Sequence, residues 1–349
     1  MPHQQRGFGL VELMIALTLG LALTGAVLQA TLASQRNHSL LEAGAQLQEN
    51  GRFALRYLSQ GLRTAGFMGC PNLSHIKVNV ISDAPPDDMD FTGSGVISGL
   101  DNVGTSNDYS AVAGTDIVVF QRAGLPATRL AGNLPPNNAN IQVESNPAGL
   151  VRNDYVFITD CVNADLFTAT TVSNSQNGGN SNGGSSNRAV VTITHAEGVN
   201  TSNRLSKVYG EDAMVMGFES VAYFIRDTNR DTAKGHSIHS LYIRARQPGS
   251  GGTAPVAQEL VEGVEDMQLT YGVDTSDDRT VDAYKTAADI ADWSKVLSVR
   301  INLLMQSIDD SVVSSAQRGL IFNADAVNTN DGRLRQTYST AVAIRNRLP

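Results

Sequence analysis

The chain has 349 residues, 41% of them hydrophobic and 17% charged, and a net charge of −8 at neutral pH. That balance leaves room for one large or two ordinary domains and fits a folded body better than a disordered chain. Lys and Arg form no basic block, which argues against a nucleic-acid partner, because phosphate binding needs clustered cations.

The first element is an apolar run. Leu13 to Gln35 carry no charge. As a helix this run measures about 34 Å, enough to cross a bilayer core. A secretory signal would have a shorter apolar core and a small-residue cleavage site beyond it. Neither a signal nor an ordinary anchor accounts for Glu12. A carboxylate in an apolar span costs about 2.5–3.5 kcal/mol near the helix centre, and less towards its end. The surface of a soluble core helix would suit it no better. A cut between Gly7 and Phe8 removes the conflict. The new α-amino group on Phe8 would lie four residues from Glu12, and either that amine or a neighbouring subunit's could pair with the carboxylate.

Beyond Ser34 the chain turns polar but keeps a helical period. Leu47, Gly51, Ala54, Leu58, Leu62 and Ala65 recur at spacings of three and four, with Arg52, Arg56 and Arg63 off that stripe. No proline occurs between Phe8 and Cys70, and Gly66 then Pro71 supply a stop. The pattern predicts one helix from Phe8 to about Ala65, roughly 85 Å long. Gly44, Gly51 and Gly61 should each weaken it by up to about 1 kcal/mol relative to Ala.

After Cys70 the period changes to that of strands. Asp116–Arg122, Asp154–Asp160 and Ala189–Thr194 are short apolar runs flanked by turn residues. Ser240–Arg246 alternates, then Gln247–Ala254 turns the chain into Val256–Val261 as a hairpin. Met267, Leu269 and Tyr271 alternate, as do Val299, Ile301, Leu303 and Met305, and a last strand is expected over Thr337–Ile344. Ala287–Trp293 is a short helix candidate. Ser173–Arg188 has no apolar residue to bury and reads as a low-complexity loop.

These residues resemble a known family. Arg6-Gly7, then Phe8, then Glu12 at the fifth position after the cut, then some twenty apolar residues, is similar to the prepilin signature of type IV pilins and type II secretion pseudopilins. The resemblance implies that a prepilin peptidase cuts after Gly7 and methylates Phe8, and that Glu12 guides insertion into a filament. Gln29 stands where major pilins often carry Pro, which leaves a helix break there unsupported. Glu259–Asp274, Asp292–Arg300 and Arg333–Arg347 resemble the PilW minor pilins, and the Gly66–Cys70 helix exit fits the same branch.

The resemblance implies an α+β, pilin-like fold, with a long N-terminal helix packed on an antiparallel β-sheet body. Residues 1–7 would be a leader peptide and 8–34 a transmembrane and filament-core helix. Residues 35–66 would be its amphipathic continuation, and 67–349 a periplasmic or extracellular β-rich body. The implied protein is a low-copy subunit that primes pilus assembly near the tip. It would start in the inner membrane with its N-terminus cytoplasmic and end in the pilus at the cell surface. Its partners would be other minor pilins, the major pilin, the prepilin peptidase and possible tip adhesins. A J-like pseudopilin, or a tip adhesin or ligand-binding subunit on a pilin stem, shares the same N-terminal features.

Little else points to chemistry. The chain has no GxSxG, HExxH or P-loop, and no GxGxxG follows a strand, so no catalytic residues and no enzyme are expected. Cys70 and Cys161 have no metal-ligand spacing. In an exported body they can form one disulfide, the alternative being two separate buried thiols. His236 and His239, three apart on a strand, would point to opposite faces. Asp274, Ser276, Asp278, Thr280 and Asp282 place oxygens at alternate positions, as a calcium loop does, although Arg279 and Lys285 stand where such a loop has Gly and an acid. Asp227–Asp231 is a shorter fragment of the same kind. Calcium is thus the one cofactor the sequence raises, against a polar turn as the alternative.

Overall fold

A computed structural model describes residues 9–70, 77–83, 89, 96–175, 190–327 and 329–347. Helix α1 (Leu10–Arg63) runs unbroken for 54 residues, through Gln29. It has two halves of opposite character. Residues 9–38 are all exposed, and an 18-residue window of this half has a mean hydropathy of 2.1 with no residue buried. From Ala43 onward one face is covered: Ala43, Leu47, Gly51, Ala54, Leu58, Gly61 and Leu62 are buried. That is the stripe read from the 3.6-residue period. Gly66 then takes φ +71°, which ends the helix.

The body is built of strands. In chain order they are β1 (Lys77–Val80), β2 (Ile97–Leu100), β3 (Ile117–Arg129), β4 (Asn140–Val143), β5 (Tyr155–Thr159) and β6 (Asn163–Thr168). Next come β7 (Thr171–Ser175), β8 (Val190–Thr194), β9 (Met214–Asp231), β10 (Ser237–Arg246), β11 (Ala257–Glu262) and β12 (Val264–Val273). The last are β13 (Ala283–Lys285), β14 (Val296–Gln306), β15 (Ile321–Phe322), β16 (Asp325–Ala326) and β17 (Arg335–Ala343). The largest sheet has the order β1-β6-β5-β9-β10-β11, with β3 on the other edge of β9 and β2 beyond it. A second sheet has the order β13-β12-β14-β17, and a third β4-β8-β7. Pairing is antiparallel except between β1 and β6, which run parallel.

Strand β9 organises the body, and no sequence signal singled it out. Its 18 residues pair with β5 over Met214–Gly217 and then with β10 over Ser220–Asp231, while β3 lies along the other edge. Its side chains enter cores on both sides. Val221, Tyr223 and Ile225 join the helix stripe, whereas Ala222 and Phe224 pack with Val103 and Ile117. A strand covered on both faces needs no polar alternation, so the period-2 signal is lost.

The main core joins the helix to both larger sheets. Leu47, Ala54, Leu58, Leu62 and Ala65 pack with Phe120 and Tyr223 from one sheet and with Ile301, Leu303 and Val342 from the other. Burying each leucine of that stripe is worth about 1.5–3 kcal/mol. A separate core, including Ile141, Ile158, Phe167, Ile193 and Val215, lies under the third sheet.

Several expectations are corrected in detail. Ala287–Trp293 is not one helix; it holds two short 3-10 turns, Ala287–Asp289 and Trp293–Lys295. Ser173–Ser175 belongs to β7, and residues 176–188 of the expected loop lie outside the described residues. Asp227–Asp231 ends β9, where the Asp227 carboxylate accepts from the Asn229 N–H at 2.8 Å.

Candidate functional site

The functional element is the helix together with its seat. Gly7 and Phe8 lie outside the described residues. Glu12 is on the first turn, and its Oε2 accepts the Gly9 N–H at 3.0 Å. The carboxylate therefore already satisfies a free N–H of the helix start, where the helix dipole also favours negative charge. The amine of a chain cut before Phe8 would arrive one residue away from that bond.

The exposed half suits an apolar surrounding. Its threonines bond inward: Thr18 donates to the Ile15 carbonyl at 2.9 Å, Thr24 to Gly20 at 2.8 Å and Thr31 to Val27 at 2.9 Å. Hydroxyls satisfied on their own helix cost little when water is removed. Leu10, Leu13, Leu17, Leu21 and Leu28 are each more than half exposed, so nothing in the body covers them.

The buried half meets the sheets at glycines. A Cβ on Gly51 would lie 2.6 Å from the Tyr338 ring, and one on Gly61 would lie 2.5 Å from the Tyr223 hydroxyl. Their smallness admits rings from β17 and β9 against the helix backbone. Gly44 has nothing within 4 Å of such a Cβ. Only Gly44 behaves as the plain helix weakener that all three were expected to be.

The helix exit is fixed from four sides. Arg122 Nη1 donates to the Thr64 hydroxyl at 2.6 Å while its Nε donates to Glu219 at 2.8 Å. That places a cation at the negative end of the helix. The Gly66 N–H donates to the Gln121 carbonyl at 2.8 Å, and Asn346 Nδ2 to the Ala65 carbonyl at 3.0 Å. Cys70 is bonded to Cys161, with Cα atoms 5.6 Å apart. Cys161 sits in the β5–β6 turn, where the Asp160 carboxylate accepts the N–H groups of Val162 and Asn163 and pairs with Lys207.

Two further arginines bracket β17: Arg335 opens the strand and Arg347 follows its end. Trp293 stacks edge-on against Tyr271, with centroids 4.9 Å apart. Arg347 donates to the carbonyls of Trp293 and Val296, and burial lowers its pKa to about 10. Arg335 is buried, and reaches Glu265 at 2.6 Å and Asp331 at 2.6 and 2.8 Å. The bonds from Arg335 hold the Asp331 carboxyl well below the usual range. Sequence reasoning missed both roles, since a buried arginine cannot be recognised without its partners.

The five expected calcium ligands lie in one loop after β12, but four of their eight side-chain oxygens accept N–H groups of the loop's own backbone. Asp274 accepts the N–H groups of Asp277 and Arg279 at 2.7 and 2.8 Å. Asp282 accepts from the Thr275 and Ser276 N–H groups at 2.7 and 2.9 Å, and Asp278 accepts the N–H and hydroxyl of Thr280 at 2.8 and 2.6 Å. Ser276 lies 3.4 Å from both Asp274 and Asp282. Lys295 pairs with Asp277 at 2.9 Å. Among the described residues no group of three or more His, Cys, Asp or Glu side chains is placed to hold a metal.

An apolar helical half that stands free of the body, continuous with a half seated on largely antiparallel sheets, defines a type IV pilin-type subunit. Two segments of the chain match models of pilus proteins. Residues 222–346 match the model for the type IV pilus-assembly protein W, and residues 2–28 match the prokaryotic N-terminal methylation motif. The chain is therefore a type IV pilus minor pilin processed by prepilin peptidase, anchored through its apolar helix and associated with the pilus. Among solved structures it is similar to a type IV-like pilin from Thermus thermophilus, 16% identical over 38% of this chain and 80% of that one, with a TM-score of 0.21. That overlap adds nothing to the fold described above. No curated protein sequence matches the chain.

Proposed function

We propose that this subunit primes assembly of the pilus together with other minor pilins and the major pilin, and remains near the tip. The observation that carries this is the division of α1 into an exposed apolar half and a half fixed in the body. A filament packs the first half against other helices and leaves the second carrying the body outward. In this reading the N-terminus is cytoplasmic, the body folds in the periplasm, and the chain later reaches the cell surface. Its role is structural, without catalysis. Oxidation of Cys70 and Cys161 fits folding in an oxidising compartment.

Deleting the gene and complementing it with Glu12→Ala tests the proposal. Removing the charge makes the span more apolar, so the variant should insert and be cut. It should fail to restore surface pili and twitching while protein secretion stays normal. Restored piliation would remove the assembly role of Glu12, and lost secretion with intact pili would mark a pseudopilin instead.

A further inference from the structure

A crevice of about 820 Å³ opens where the exposed half of α1 meets the body. Arg36 and Asn37 line one side, and Lys234, His236, Ser311 and Ser314 line the others. Its charges are unequal once pairing is considered. The acids on its wall are already engaged: Asp331 is bonded to Arg335, and Asp310 accepts the Lys234 N–H at 2.8 Å and lies 3.5 Å from Arg333. Among the described residues neither Arg36 nor Lys234 has a carboxylate partner; the Lys234 ammonium donates to the Asp310 backbone carbonyl at 2.8 Å. Two cations and several hydroxyl and amide donors thus face one open space.

Position supplies the second argument. Arg36 is the first charged residue after the apolar run that ends at Gln35, so it lies at headgroup level when that run spans the membrane. An isolated arginine there would be an ordinary interfacial anchor. Lys234 comes from the β9–β10 turn, on the body, yet it lines the same crevice. The fold, and not the anchor alone, assembles the pair. The net charge of −8 makes the chain as a whole repel an anionic surface, so these two cations mark where one can be met.

We propose that this crevice seats the phosphate headgroup of an anionic phospholipid from the leaflet facing the body, which holds the subunit in one orientation before it enters a filament. The inference rests on the membrane-spanning reading of the apolar helix.

The test uses the full-length chain in neutral detergent, with phosphatidylglycerol or phosphatidylcholine added and adducts counted by native mass spectrometry. The wild type should retain phosphatidylglycerol about ten- to thirtyfold better than phosphatidylcholine, as two cations near a headgroup would give. Arg36→Ala and Lys234→Ala should each reduce that preference, and the double variant should abolish it. Arg204→Gln with Arg279→Gln, which removes the same charge from residues outside the crevice, should not. Circular dichroism and membrane fractionation check that each variant is folded and inserted, which separates failure of this site from failure of the span. Equal retention of both lipids by the wild type would overturn the proposal. So would a preference that depends on Arg36 alone, since that is simple anchoring. Displacement of phosphatidylglycerol by millimolar inorganic phosphate would make this a site for soluble anions and overturn the lipid assignment.

Discussion

Substituting alanine at two glycines of the same helix should change stability in opposite directions. At Gly44 a Cβ meets nothing within 4 Å, so Gly44→Ala should stabilise by up to about 1 kcal/mol through helix propensity. At Gly51 the same Cβ would lie 2.6–2.8 Å from three atoms of the Tyr338 ring. Carbon atoms pack at about 3.5–4.0 Å, so the ring or the helix must retreat by about 1 Å. Overpacking of that kind costs about 1–3 kcal/mol, which outweighs the propensity gain and leaves Gly51→Ala destabilised by up to about 2 kcal/mol. Reversible denaturation of the full chain in detergent, followed by tyrosine and tryptophan fluorescence, measures both. Tyr338→Ala empties the contact, and in that background Gly51→Ala should become neutral or stabilising, a coupling of about 1 kcal/mol or more. Equal shifts at Gly44 and Gly51, with no coupling to Tyr338, would show that the helix does not rest on that ring.

Cys161→Ser should lower the melting temperature and the cellular level of the protein. Closing a loop of this length is worth at most about 4–5 kcal/mol in chain entropy, and wild-type protein alkylated without reduction should show no free thiol. Burial raises the Asp116 pKa from 3.8 to about 6, against the N–H bonds from Asn102 and Leu269. The folded state therefore holds this proton more tightly than the unfolded state. Stability should be highest below about pH 4 as far as this group is concerned, and fall by on the order of 3 kcal/mol as pH rises to about 6. Asp116→Asn should flatten that slope, and a slope unchanged in the variant would assign it to other groups. Millimolar calcium should leave the melting temperature unchanged, because the loop carboxylates already accept backbone N–H groups; a calcium-dependent rise lost in Asp274→Asn would reverse that reading.

The helix was legible because it carries two signals that survive without tertiary information: an uncharged run and a stripe at spacings of three and four. What those positions touch was not legible. Gly51 and Gly61 read as weaknesses until Tyr338 and Tyr223 stand against them. β10, β12 and β14 were found because each alternates in chemistry, whereas β9 is covered on both faces and interrupted by Gly217 and Glu219. Glu219 makes sense only beside Arg122, whose pairing no spacing reveals. The oxygens of Asp274–Asp282 show the opposite limit. Alternate polar residues suit a metal loop and a self-closing turn equally, and only the placement of the backbone N–H groups separates the two. Cys70 and Cys161 could be paired in the sequence only on the condition of export.

The most direct test of a subunit processed and packed through α1 is the N-terminus of the chain recovered from sheared pili. After trypsin, a processed chain should give a peptide that begins at Phe8, ends at Arg36 and is one methyl group heavier than its sequence. A peptide that begins at Gly7, released by cleavage after Arg6, would show an uncut precursor. Finding only that form, or finding the chain in membranes but never in pili, would contradict the account.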